Sequence, residues 1–166
     1  MIMTDDQLIR SRTIPAAPDA VFAVLRDPAR HPETEPTDWV RSAIDPRPIT
    51  EVGQVFGMNM YARRDGFDPD YVMHNQVIAF EEPTTIAWRP GQYGPDGTLG
   101  FGGWSWRYDL TAQGDNCVVT LTYDWSQTPQ QLRELFGLPP FGPDFLDQSL
   151  ECLERAVNAD RVRQPA

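Results

Sequence analysis

The sequence predicts an α+β domain, a largely antiparallel sheet with one dry face and a long amphipathic helix laid across it. Three observations carry this. Val119, Leu121, Tyr123 and Trp125 alternate with Thr120, Thr122 and Asp124, the period-2 pattern of a sheet that is wet on one side. Leu146, Leu150, Leu153 and Val157 recur at helical spacing near the C-terminus. The order of elements is one strand, one or two short helices, six more strands and a final helix. A sheet of about seven strands curved around such a helix leaves a cavity between the two.

The elements follow from local signals. In strand 8–14, Leu8, Arg10, Arg12 and Ile14 share a face, and Pro15 ends the run. Pro18 suits a first helical turn and Asp19 its positive end. Val21, Phe22 and Leu25 give that helix its stripe, and Pro28 stops it. Segment 29–38 carries Pro32 and Pro36 and has no clear period. Residues 40–44 form a weak strand. Strand 54–63 sends Phe56, Met58, Met60 and Ala62 one way. The turn-rich stretch 65–70 leads into strand 71–80, and Glu82-Pro83-Thr84 turns the chain into strand 85–89, where Ile86 and Trp88 share a face. The glycine-rich stretch 91–103 reads as a mobile hairpin over the cavity mouth, with a plain surface loop as the alternative. Trp104, Trp106, Tyr108 and Leu110 line the next strand, and Gln113-Gly114-Asp115-Asn116 is a hairpin turn. Thr128-Pro129-Gln130-Gln131 has the form of a capping box, with Gly137 as its C-terminal stop. Asp144 then caps a helix running to about residue 160, on which Glu151 and Arg155 can pair.

The chain's 166 residues fit a single domain spanning 1–166, long enough to bury roughly 70% of its unfolded surface. All fourteen basic residues are arginine, against twenty-four acidic ones, for a formal charge of -10. Without lysine there is no P-loop lysine, Schiff-base lysine or lysine base. Without a basic face, nucleic acid and anionic membrane are not expected partners; Arg63-Arg64 is the densest basic pair. The N-terminus MIMTDDQLIRSR has no apolar core of a leader, and no run of about 18 apolar residues exists. The expectation is a cytoplasmic protein, monomeric or homodimeric, whose Cys117 and Cys152 stay reduced. Two His and two Cys offer no metal-ligand cluster, so neither metal nor cofactor is expected. There is no G-x-S-x-G, and the glycines of 91–103 lack a GK[ST] ending.

These motifs taken together resemble the START/polyketide cyclase/birch-pollen-allergen-like superfamily (SRPBCC). The matching stretches are Ile14-Pro15-Ala16-Ala17-Pro18-Asp19-Ala20-Val21-Phe22, Asp27-Pro28-Ala29-Arg30-His31-Pro32-Glu33, and Gly53-Gln54-Val55-Phe56. Further matches are Phe80-Glu81-Glu82-Pro83, Ile86-Ala87-Trp88, Trp106-x-Tyr108-x-Leu110, the VTLTYD run 119–124 and the leucine-rich final helix. The resemblance implies the helix-grip fold, with two short helices after the first strand. That group includes lipid carriers, aromatase/cyclases, hormone receptors and chaperone activators, so fold leaves function open. Members often carry a Trp soon after the His-Pro-Glu; here 34–38 intervenes before Trp39, and a rearranged entrance is expected.

His74 is the sharpest candidate for chemistry. It is in phase with Val72, Ile78 and Phe80, a phase that would aim a neutral imidazole at the cavity as acid or base; the alternative is an inert His on a sheet face. Tyr123 is a second candidate proton carrier. His31 reads as structural. Trp39, Phe56, Met58, Met60, Trp88, Trp106, Tyr108, Tyr123, Phe141 and Phe145 are expected to divide between core and pocket wall for a flat apolar ligand. Ser149, with Gln148, would add a pocket hydrogen bond. By phase, Arg89, Arg107, Arg63 and Asp124 face outward. Three functions remain open: binding of a small hydrophobic, aromatic or polyketide-like molecule; a cofactor-free cyclase, aromatase or dehydratase using the same cavity; and a protein-interaction module. Binding ranks first because few ionisable groups remain inside.

Overall fold

A computed structural model describes residues 6–163. In chain order the elements are β1 (Gln7–Ile14), α1 (Pro18–Leu25), a 3-10 turn (Pro28–Thr34), β2 (Val40–Ala43), β3 (Val55–Tyr61), β4 (Asp70–Glu81), β5 (Thr85–Tyr93), β6 (Leu99–Phe101), β7 (Ser105–Gln113), β8 (Asn116–Asp124), α2 (Gln130–Phe136) and α3 (Phe145–Arg163). The strands pair antiparallel in the order β1-β8-β7-β5-β4-β3-β2, with short β6 added beside β5. This is the helix-grip arrangement, a curled sheet holding a long C-terminal helix. The first five residues, which belong to the N-terminal stretch read for a leader, lie outside the described residues. No helix among the described residues is long and apolar enough to cross a membrane.

The predicted stripe of α3 is the centre of the core. Leu146, Leu150, Leu153 and Val157 are almost wholly buried, among Phe22 and Leu25 of α1 and Val119, Leu121 and Tyr123 of β8. Arg10 and Arg12 share the inward phase of β1 with Leu8 and Ile14. Their length carries the charge out along α3, to Asp147 (3.5 Å) and Glu154 (3.0 Å), while their stems cover apolar surface. Glu151 and Arg155 stand 4.0 Å apart across one turn of α3.

A bulge in β4 changes the expected phase. Val77 pairs with Trp88 and Ala79 with Ala87, leaving Ile78 as the extra residue. Before the bulge Tyr71, Met73, Asn75 and Val77 point inward; after it Phe80 does, 5.5 Å from Phe22. The sequence reading tied His74 to Phe80 across this insertion. His74 instead pairs with Gly57, between the core residues Phe56 and Met58, and so lies on the outer face, its ring 4.7 Å from that of exposed Tyr93.

Within stretch 91–103, residues 91–93 extend β5 and 99–101 form β6, which pairs back on it as a hairpin. Gly103 needs to be glycine: its φ is +98°, and a Cβ would sit 2.6 Å from the Gln127 carbonyl. The Thr128 side chain does not cap α2, whose N-cap is Pro129. Arg133 instead reaches back to the Thr128 carbonyl at 2.7 Å. Gly137 ends α2 in the left-handed conformation, as its position suggested.

Candidate functional site

The interior that the curled sheet encloses is occupied by the chain itself. His31, on the 3-10 turn, is 6% exposed and lies between two core rings, stacked on Trp88 (4.9 Å) and edge-on to Phe56 (5.3 Å). Its Nε2 lies 2.7 Å from the Leu25 carbonyl, which fixes that nitrogen as the protonated one. Burial pushes the imidazole pKa down, so the ring is held neutral. Beside it, Ser149 of α3 donates to the Thr34 carbonyl. Burial pushes the Tyr108 pKa up to about 12. Ser149→Ala takes the side-chain donor from the carbonyl of buried Thr34 and is expected to cost about 1–3 kcal/mol, read as a lower urea midpoint at unchanged slope.

The open space lies at one end of the grip. A cleft of about 710 Å³ runs between the loop before β2, the end of β3, the start of β4 and the proline-rich approach to α3. Its apolar walls are Trp39, Tyr71, Phe141 and Phe145, and Gln148 and Tyr61 add polar edges. Phe141 and Phe145 stack at 4.7 Å, and Trp39 stands 5.8 Å from Phe145 and 6.4 Å from Phe141. Trp106 and Tyr123 back this wall, 5.8 and 5.1 Å from Phe141.

The lip is built by Glu35. Its carboxylate accepts from the backbone of Thr37 (2.8 Å), Trp39 (3.0 Å) and Val40 (3.2 Å) and from the Thr37 hydroxyl. Tyr61 N–H in turn donates to the Trp39 carbonyl at 2.8 Å, tying the lip to the sheet. The indole Nε1 of Trp39 donates to the Tyr71 hydroxyl, and burial raises the Tyr71 pKa against that bond. Backbone hydrogen bonds thus hold Trp39 at the lip, and one bond from its indole nitrogen orients the ring at the cleft edge.

The expected site residues therefore divide. Trp39, Phe141 and Phe145 line the cleft. Trp106 and Tyr123 stand behind it. Phe56, Met58, Trp88, Tyr108 and Ser149 belong to the core, and half-buried Met60 packs against it; none of these six lines the cleft. For Phe56 and Trp88 the physical reason is the His31 ring, which packs against both. His74 is on the opposite side of the sheet. Tyr123 is 1% exposed, and burial alone pushes its phenol above the ordinary range, so it is poorly suited to move protons. Arg89, Arg107 and Asp124 do lie on the outer phase, with Arg107 paired to Asp109 at 2.9 Å. Arg63 does not: β3 ends at Tyr61, alternation stops there, and Arg63 and Arg64 both line the cleft. Tyr71, Arg64 and Glu35 were missed. Tyr71 was readable only with the bulge in place; Glu35 sat in a segment without period. Among the described residues no group of three or more His, Cys, Asp or Glu converges at metal-binding spacing.

Residues 7–158 match the family described as polyketide cyclase/dehydrase and lipid transport. The chain belongs to this family. Among curated proteins none matches its sequence. Solved structures share the family's fold at low identity. A Nitrosomonas europaea protein aligns at 13% identity and TM-score 0.70, covering 97% of this chain and 99% of that one. An Arthrobacter aurescens protein aligns at 14% identity and TM-score 0.66, covering 92% and 86%. Ginseng major latex-like protein 151 from Panax ginseng aligns at 15% identity and TM-score 0.59, covering 96% and 97%. The family resemblance drawn from the sequence is therefore correct. These identities carry the fold of the polyketide cyclase/dehydrase family and not a shared ligand.

Proposed function

We propose that this family member binds a small hydrophobic molecule, with an aromatic or polyketide-like body, in the cleft at the open end of the grip. The observation that carries the reading is a cleft of about 710 Å³ walled by Trp39, Tyr71, Phe141 and Phe145. That volume is in the range of small-molecule sites, and aromatic walls with few polar groups suit a flat apolar body. The fixed Trp39 indole needs little ordering when a ligand arrives, which favours affinity.

A cyclase or dehydratase activity in the same cleft would have to move protons with Tyr61, Tyr71, Asp38 or Asp144, the titratable groups besides the two arginines on its walls. His74 has no part in it. Binding stands ahead of catalysis because no two of these groups form an acid/base pair by hydrogen bond.

Titration with the neutral fluorophore Nile red is expected to saturate. Trp39→Ala should weaken binding about tenfold, the loss of one aromatic contact. Gln148→Trp should abolish it by filling the cleft from an exposed position on α3 while the thermal midpoint stays unchanged. Equal affinity in wild type and both variants would place the dye elsewhere and defeat the reading.

A further inference from the structure

The cleft joins an aromatic wall to two cations in a chain of charge -10. In so acidic a protein an arginine readily finds a carboxylate. Arg12, Arg26, Arg30, Arg41, Arg107 and Arg133 each have one within 4.0 Å. Arg63 and Arg64 are adjacent, and among the described residues neither has a carboxylate at that distance. This holds although the turn that follows them carries Asp65, Asp68 and Asp70. Of the two carboxylates on the cleft walls, Asp38 is paired with Arg41 at 2.6 Å, and Asp144 directly precedes α3.

The way each guanidinium is held matters. The Arg64 guanidinium carbon lies 5.1 Å from the Phe67 ring, 5.3 Å from Tyr71 and 5.7 Å from Phe136. Ring contacts of this kind hold the cation without using its N–H donors. Arg63 spends only Nε, on the Tyr61 hydroxyl at 2.9 Å. Among the described residues its two terminal nitrogens have no hydrogen-bond partner. Two neighbouring forks with unspent donors, beside an apolar wall, match a planar anion that accepts two parallel hydrogen bonds.

We propose that the cleft selects molecules whose apolar body ends in a carboxylate, with Arg63 and Arg64 holding the carboxylate and the Trp39–Phe141–Phe145 wall holding the body. The inference rests on the binding reading above and adds the ligand's charge. The two arginines act as specificity residues: they set which apolar molecules are retained.

The test compares 2-naphthoate with its neutral analogue 2-naphthamide by isothermal titration at pH 7.5, in wild type, Arg63→Gln/Arg64→Gln and Arg64→Lys. Wild type is expected to hold the acid about tenfold or more tighter than the amide, the value of a charge-assisted pair over a neutral one. In the double glutamine variant that ratio should fall to about one while amide affinity persists. Arg64→Lys, which keeps charge and loses the fork, should fall between. Equal affinity for acid and amide in wild type overturns the charge inference and leaves the binding reading standing. Loss of acid and amide by the same factor in the variant also overturns it, since the arginines would then serve the cleft's shape. Failure of both probes to bind wild type overturns the binding reading itself.

Discussion

Replacing His31 by alanine is expected to destabilise the fold by about 3 kcal/mol. The loss has two parts: a void between Trp88 and Phe56, and a Leu25 carbonyl left without its donor. Urea denaturation at pH 7.5 measures it. A second, pH-dependent effect belongs to the same ring. Burial lowers the native pKa of His31 below its ordinary value of 6.5. The unfolded chain therefore takes up a proton as pH drops through 6.5, while the native ring stays neutral. With more protons bound to the unfolded state, stability falls as pH falls, by up to about 1.4 kcal/mol per pH unit. The loss begins near pH 6.5 and ends once pH passes the lower native value. His31→Phe keeps a ring in the gap and cannot titrate, so its stability profile should diverge from wild type below pH 6.5. Parallel profiles from pH 7.5 to 5 would show that His31 is not held neutral by the core.

Leu153→Ala should cost about 2–5 kcal/mol, because this side chain is 0% exposed at the middle of the α3 stripe and its removal leaves a cavity that rigid neighbours cannot close. Leu135→Ala on α2 is the matched control. That leucine is 61% exposed and should change stability by no more than about 0.5 kcal/mol. Thermal denaturation of the two variants separates them. Similar midpoints would mean that α3 does not anchor the sheet, and the helix-grip account of stability would fail with it.

The elements that the sequence made legible are those whose pattern is local. The β8 alternation, the α3 stripe, the Pro18 start of α1 and the Gly137 stop of α2 all match the structure. Each depends on residues a few positions apart, which a strand or helix brings into one line whatever surrounds it. The candidate site was less legible. Aromatic content led to the expectation that the set divides between core and pocket wall, and of that set Trp39, Phe141 and Phe145 line the cleft. The misplacements of His74 and Arg63 share a cause: phase was extended through a point where the backbone broke it. A bulge at Ile78 placed His74 outside. The end of β3 at Tyr61 freed Arg63 to turn into the cleft. A one-residue insertion flips every side chain on one side of it.

The sequence by itself determined the class of fold, the antiparallel sheet, the gripping helix and an apolar interior with few ionisable groups. These follow from periodicity and composition, which are properties of the chain before it folds. Only the tertiary structure decided where the space is. Segment 28–35 has no period of its own, yet it inserts His31 into the sheet's hollow and uses Glu35 to set the lip on which Trp39 stands. That outcome depends on volumes contributed by residues as far apart as Phe56 and Trp88, and on three backbone donors that converge on one carboxylate. Close packing leaves a cavity only where such distant groups fail to fill it. One such place is the cleft at the end of the grip, beside two arginines that have no carboxylate partner among the described residues.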